Sequence, residues 1–227
     1  MRVPACEIFG ALICTMRQLS LAGMWLMAAV VLCLWVANSH YLGLFSDKAG
    51  LVLGFGRLAA LAGTMGVLGQ LLVMSRASWL VKLPGTPLPV KWHHRAGLVI
   101  PLALLAHPPL VVWHYSLQGG QGFMAQYLAV LRWDYVLAAA CGEVLLIAAV
   151  LCALPCCRAR IGYPAWQRLH LLTYAGLALT IGHQLALGGD LSVPKYYFAS
   201  AWYMMLAFTG LNALWFRLLK PVYFVRP

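Results

Sequence analysis

Between Trp92 and Tyr115 the chain reads WHHRAGLVIPLALLAHPPLVVWHY, an apolar span with histidine at its start and again two-thirds of the way along. At about 1.5 Å of rise per residue, a helix places His93 and His107 roughly 21 Å apart, most of the ~30 Å hydrocarbon thickness of a bilayer. The segment Trp166–Gly188, WQRLHLLTYAGLALTIGHQLALG, repeats the arrangement with His170 and His183. Two such spans, each with a histidine at two depths, can clamp two groups stacked across a membrane.

Composition agrees with a membrane setting. Of 227 residues 63% are hydrophobic and 9% charged, with a mean hydropathy of +0.82, whereas a soluble domain carries about 25% charge. The formal net charge of +11 does not point to nucleic acid, because the basic residues lie between apolar runs and form no patch. Seven cysteines show no CxxC, no CxxCH and no zinc spacing, which argues against a disulfide framework and a covalent haem attachment. Most lie in or beside apolar runs and read as small packing residues.

The expected fold is an all-α, polytopic membrane bundle of six transmembrane helices, each near the ~20 residues needed to cross. The spans fall at about 19–38, 51–74, 93–115, 134–154, 166–188 and 196–217. Residues 1–18 read as a cytoplasmic N-terminal segment, 19–217 as one membrane domain and 218–227 as a cytoplasmic tail. The second span carries six glycines, among them Gly50 and Gly54 at small-xxx-small spacing, which suits close packing of helix or cofactor.

Lysine and arginine set the orientation. Arg2, Arg17, Arg76, Lys82, Lys91, Arg95, Arg158, Arg160, Arg168, Arg217, Lys220 and Arg226 fall on one side of this topology. Only Lys48, Arg57, Arg132 and Lys195 fall on or toward the other. Both termini are then cytoplasmic, spans three and five run outward, and His93 and His170 form an inner level with His107 and His183 an outer one. Charge count and histidine spacing are independent, and they agree.

An ionisable residue in the hydrocarbon is costly and marks a partner or a function. Neutral imidazole is a good axial ligand for haem iron, and two imidazoles fill both axial positions, which suits electron transfer. The alternative is buried histidines bonded to backbone carbonyls; four at matched depth on two parallel spans argue against it. At about 100° per residue, a spacing of 14 leaves side chains about 40° apart, so His93 rather than His94 pairs with His107, and His94 stands as the alternative ligand. A spacing of 13 leaves His170 and His183 about 140° apart, off a common face of an undistorted helix.

These motifs resemble the ferric reductase-like transmembrane domain shared by NADPH oxidases and iron-chelate reductases. His93, Gly97 and His107 match its third-span pattern, H-x-x-x-G with a second histidine fourteen residues after the first. Trp166, Arg168, Leu169, His170 and His183 match W-R-R-L-H with a histidine thirteen residues on, and Gly56, Arg57, Gln70 and Arg76 match the second span. The resemblance covers about residues 50–190. It implies two non-covalent b-type haems, with electrons passing from a cytoplasmic flavoprotein, an NAD(P)H reductase holding FAD or FMN, to an external acceptor. That acceptor would be a ferric chelate, dioxygen or a periplasmic enzyme. The chain stops at KPVYFVRP, where relatives with their own dehydrogenase continue, and shows no Gly-rich phosphate loop, so the flavin is expected on a separate partner.

Arg57, Arg95 and Arg168 are candidate partners of haem propionates, since guanidinium suits carboxylate bidentately; positive-inside anchoring is the other reading of Arg95 and Arg168. Pro101, Pro108 and Pro109 predict a bend in span three near His107. Glu143, roughly 13 Å into span four, reads as a neutral acid hydrogen-bonded to a neighbouring helix or as a proton-handling group. His40 and His114 read as external interfacial histidines, and Cys152, Cys156 and Cys157 as free thiols. Two other functions fit the same features: the haem-binding membrane subunit of a system resembling periplasmic methionine sulfoxide reductases, and a non-catalytic haem carrier or assembly protein. The expected location is the cell membrane, multi-pass, in a bacterial inner membrane.

Overall fold

In hydrocarbon no water is present to bond a free N–H or C=O, so an apolar run satisfies its own backbone as a helix. The computed structural model describes residues 26–75, 77, 88–192 and 197–220, and among them every regular element is helical. In chain order these are α1 (Leu26–Tyr41), α2 (Lys48–Met74), α3 (Leu88–Gly119), α4 (Phe123–Val130) and α5 (Val136–Ala153), followed by α6 (Pro155–Ile161), α7 (Tyr163–His170), α8 (Leu172–Leu187) and α9 (Phe198–Ala213). α9 runs on into a π-helical turn, Leu214–Leu219. Within α2, α3 and α5, the stretches Lys48–Met74, Lys91–Gly119 and Val136–Ala153 are long and apolar enough to cross a membrane, and α1 is apolar but shorter. The proposed segment 1–18, the start of span one, Arg2, Arg17, Arg76, Lys82, Lys195, Arg226 and the last seven residues lie outside the described residues.

Two close helix pairs, α2–α3 and α5–α8, make up most of the structure. In the first, α2 turns glycines toward its partner. A Cβ on Gly56, Gly63 or Gly66 would meet Leu110 Cβ at 3.1 Å, Leu104 Cδ2 at 2.5 Å or Ile100 Cγ1 at 2.5 Å. Gly50 and Gly54 pack instead on Leu44 and Phe45 of the preceding turn, where the Asp47 carboxylate accepts from Gly50 N at 2.6 Å and caps α2. The α3-facing glycines are thus a different set from the Gly50–Gly54 pair. In the second pair the backbones touch: a Cβ on Gly142 would lie 2.6 Å from Gly176 O, and one on Gly176 2.8 Å from Gly142 O. Lipid gives apolar side chains little reason to associate, so such small-residue contacts do what a hydrophobic core does in water.

α1 and α9 pack on α2 through Val31, Trp35, Leu61, Leu68, Phe198, Trp202 and Met205. Polar bonds tie the ends of this group. Ser75 Oγ, past the end of α2, donates to Asn212 Oδ1 on α9 at 3.0 Å, and Asn38 Nδ2 on α1 donates to Asp190 Oδ1 at 3.0 Å.

One expectation changes here. The segment 166–188 is not one helix: α7 ends at His170 and α8 begins at Leu172. Around the joint Leu171 N donates to Arg168 O at 3.2 Å and Tyr174 N to Leu171 O at 3.1 Å, three-residue spacings that tighten the winding. Thr173 Oγ1 donates to His170 O at 2.8 Å and satisfies a carbonyl at the break. α3 runs as one helix from Leu88 to Gly119 with Pro101, Pro108 and Pro109 inside it. Each ring removes one N–H, yet the neighbouring turns hold the helical path as far as Gly119.

The Gly142–Gly176 contact is sensitive to a single carbon. Gly176→Ala should lower the thermal midpoint of the purified protein in detergent, with an overpacking cost of about 1–3 kcal/mol. Gly69→Ala, which meets nothing within 4 Å, should leave it unchanged or raise it slightly.

Candidate functional site

The antiparallel contact of α2 and α3 has a fixed register, and three histidines lie on it. His93 Nδ1 meets Gln70 Oε1 at 2.6 Å, His107 Nδ1 meets Gly56 O at 3.0 Å and His114 Nδ1 meets Ala49 O at 2.7 Å. Steps of 14 and 7 residues along α3 are answered by equal steps, in reverse, along α2. In each case the ring nitrogen faces an oxygen that can only accept, so Nδ1 carries the proton and Nε2 keeps its lone pair. Gln70 also donates from Nε2 to His93 O at 3.1 Å, which fixes its amide orientation and grips His93 by ring and backbone together.

What separates His93 and His107 from His114 is the residue opposite. The His93 and His170 rings lie 5.9 Å apart between centroids, at 87°. The His107 and His183 rings lie 6.4 Å apart, at 36°. His114 is buried against Tyr115, with a centroid separation of 4.7 Å, and Tyr115 against Trp133. His94, exposed, faces neither His170 nor His183; its ring lies 6.2 Å from that of His93.

The four sequence-selected histidines therefore come together as two pairs, about 21 Å apart along α3. Each pair spans from the α2–α3 unit to the α7–α8 segment. The tightened turn at Leu171 advances the chain about 120° per residue against about 100°, which recovers part of the 140° offset between His170 and His183. The partner rings are held differently from those on α3. His170 Nδ1 and His183 Nδ1 are buried without a hydrogen-bond partner among the described residues. The His170 ring stacks on Trp166 at 5.5 Å and 18°.

The three arginines have separate fates. Arg57 Nη1 reaches Asp190 Oδ1 at 3.4 Å, with 20% and 13% of the two side chains exposed, so the pair is shielded from solvent. Burial raises the pKa of Asp190, and Arg57 and the Asn38 amide act against it. Gly189 leaves room for this: a Cβ there would lie 2.6 Å from Arg57 Nη2. Arg95 and Arg168 are exposed near the His93 end, Arg168 Nε donating to Pro164 O at 3.4 Å. Glu143 Oε1 is buried with no hydrogen-bond partner among the described residues. The roles of Asp190, Asn38 and the Gly56 carbonyl had no sequence signal of their own, although the 14-residue step from Gly56 to Gln70 mirrors that from His93 to His107.

Chemically, each pair offers two neutral nitrogen donors and no more. Among the described residues no three His, Cys, Asp or Glu side chains converge as a metal cluster would require. Such a pair suits an ion that arrives with its remaining ligands. The family described as ferric reductase like transmembrane component matches residues 55–181, more than half of the chain, and this stretch holds three of the four histidines and the whole α2–α3 register from Gly56 to His107. No curated protein and no solved structure matches the chain. The chain belongs to the ferric reductase-like transmembrane component family.

Proposed function

We propose that this protein carries electrons across the cell membrane through two stacked b-type haems, each held by two histidines. His93 and His170 would hold the inner haem iron and His107 and His183 the outer one. The observation that carries this is the separation of the paired rings, 5.9 and 6.4 Å between centroids. Two rings that each held the same iron through a bond of about 2 Å would stand at about this separation. The fixed tautomers of His93 and His107, which leave each Nε2 with its lone pair, fit the same role. Haem would supply a one-electron couple at each level. The residues of this chain hold the rings, with Gln70 and the Gly56 carbonyl orienting the α3 ligands from behind.

The proposed topology is six transmembrane helices with both termini cytoplasmic, in a bacterial inner membrane, and one membrane domain over 19–217. The His93 end then faces the cytoplasm. Arg95 and Arg168 lie there, exposed and able to meet inner propionates. Arg57 lies at the other end, where its bond to Asp190 leaves Nε and Nη2 for an outer propionate. The electron donor is a cytoplasmic NAD(P)H-dependent flavoprotein and the acceptor lies outside. Lys91, Arg158 and Arg160, with Arg76 and Lys82 by their position in the sequence, make the proposed cytoplasmic docking face basic. That charge attracts an acidic partner and raises its association rate.

Purified protein should hold two haems per chain, extractable by acid–acetone, as measured by the pyridine haemochrome and protein assay. His170→Ala should lose the inner haem and His183→Ala the outer. His94→Ala should keep both; loss of a haem in His94→Ala but not in His93→Ala would reverse the assignment.

Dithionite should reduce the isolated protein, while NADPH alone should leave it oxidised until a cytoplasmic flavin reductase is added. Raising salt should slow reduction through that partner and leave dithionite reduction largely unchanged. Rapid reduction by NADPH in a preparation free of flavoprotein would contradict the separate-donor assignment.

A further inference from the structure

Two of the four paired histidines have an acceptor for Nδ1: Gln70 Oε1 for His93 and Gly56 O for His107. His170 and His183 have none among the described residues, and the Nδ1 of each is buried. A metal-bound imidazole is ordinarily oriented by the hydrogen bond on its other nitrogen, so the plane of the His170 ring must be set by another contact.

One contact fits. Trp166, one helical turn before His170 on α7, lies against the imidazole at 5.5 Å between centroids and only 18° from parallel. Its indole N–H is buried with no hydrogen-bond partner among the described residues, so the residue is placed by its ring face and not by its polar atom. Arg158, from the end of α6, holds its guanidinium carbon 4.5 Å from the centre of the Trp166 ring and 5.7 Å from that of Tyr163. Gly162, at φ +75, makes the corner between α6 and α7 that brings arginine and indole together. The side chain of Arg158 is half-buried, whereas that of Arg160, two residues on, is exposed.

We infer that Trp166 is the positioning residue that sets the plane of the His170 imidazole, with the Arg158 guanidinium holding the indole by a cation–π contact. The inner haem is thus oriented by hydrogen bonding on its His93 side and by aromatic stacking on its His170 side. Arg158 belongs to this stack more than to the docking face. Its positive charge beside the inner level also disfavours the ferric form, which carries the extra positive charge, and favours the reduced one. The inference rests on the two-haem reading.

Electron paramagnetic resonance of the full haem-loaded chain in detergent tests it, because the g values of a low-spin ferric haem depend on the angle between its two imidazole planes. The signal absent from His170→Ala identifies the inner haem. Trp166→Ala should shift that signal and leave the outer one in place, while Trp166→Phe, which keeps a ring face, should hold it near its original position. Arg158→Gln should shift the same signal by less and lower the inner midpoint potential; Arg158→Lys should restore both. An inner signal unmoved in Trp166→Ala overturns the inference. If that variant loses the inner haem outright, Arg158→Gln decides, and a signal and potential unchanged from the parent overturn it. Absence of both low-spin signals from the parent protein would instead overturn the two-haem reading, and this inference with it.

Discussion

An imidazole in lipid needs an answer for each of its two nitrogens, and the register between α2 and α3 supplies one of them. Gln70, Gly56 and Ala49 present oxygens at the steps at which His93, His107 and His114 present Nδ1. The glycines at 56, 63 and 66 make this possible by letting the helix backbones approach. A side chain at any of these positions would push α3 away and lengthen the bonds behind the rings. His114 shows the limit of the device: the same hydrogen bond without a facing histidine yields a buried structural residue.

The second unit, α5 with α8, is built on the same physical basis with a different detail, glycine carbonyl against glycine at positions 142 and 176. Histidine rings bridge the two units at two depths, where helix-on-helix packing would otherwise be expected. Polar latches tie the helices at two levels: Arg57, Asp190 and Asn38 near His107, and Ser75 and Asn212 at the opposite end of α2. Breaking a shielded pair such as Arg57–Asp190 leaves one charge uncompensated, which costs far more than the intact pair contributes. The latch therefore holds the segment after α8, and with it the level of His183, against α1 and α2.

Much of this was legible in the sequence, for identifiable reasons. Long apolar runs force helices, and a spacing of 14 residues places His93 and His107 on one face whatever surrounds them. The positions of their partners followed from depth. The interruption at Leu171 was not legible, because no proline or glycine stands there; Thr173, with its hydroxyl on the His170 carbonyl, is the only local hint. The choice among six glycines in α2 depended on which face α3 covers, a tertiary fact that spacing alone does not fix. Asp190 and Asn38 lie 152 residues apart in sequence, and nothing in either neighbourhood announces the other. Trp166 was visible only as part of a motif, and its stacking on His170 comes from the geometry of α7.

The central claim is that two imidazoles, and no other protein donors, complete the coordination of the iron at both levels. Near-infrared magnetic circular dichroism of the oxidised protein tests this directly, because the ligand-to-iron charge-transfer band reports the axial ligand pair. The account predicts bands of the bis-histidine class alone, accounting for both haems. A high-spin component in fresh protein, or bands of a methionine- or thiolate-ligated iron, would contradict it.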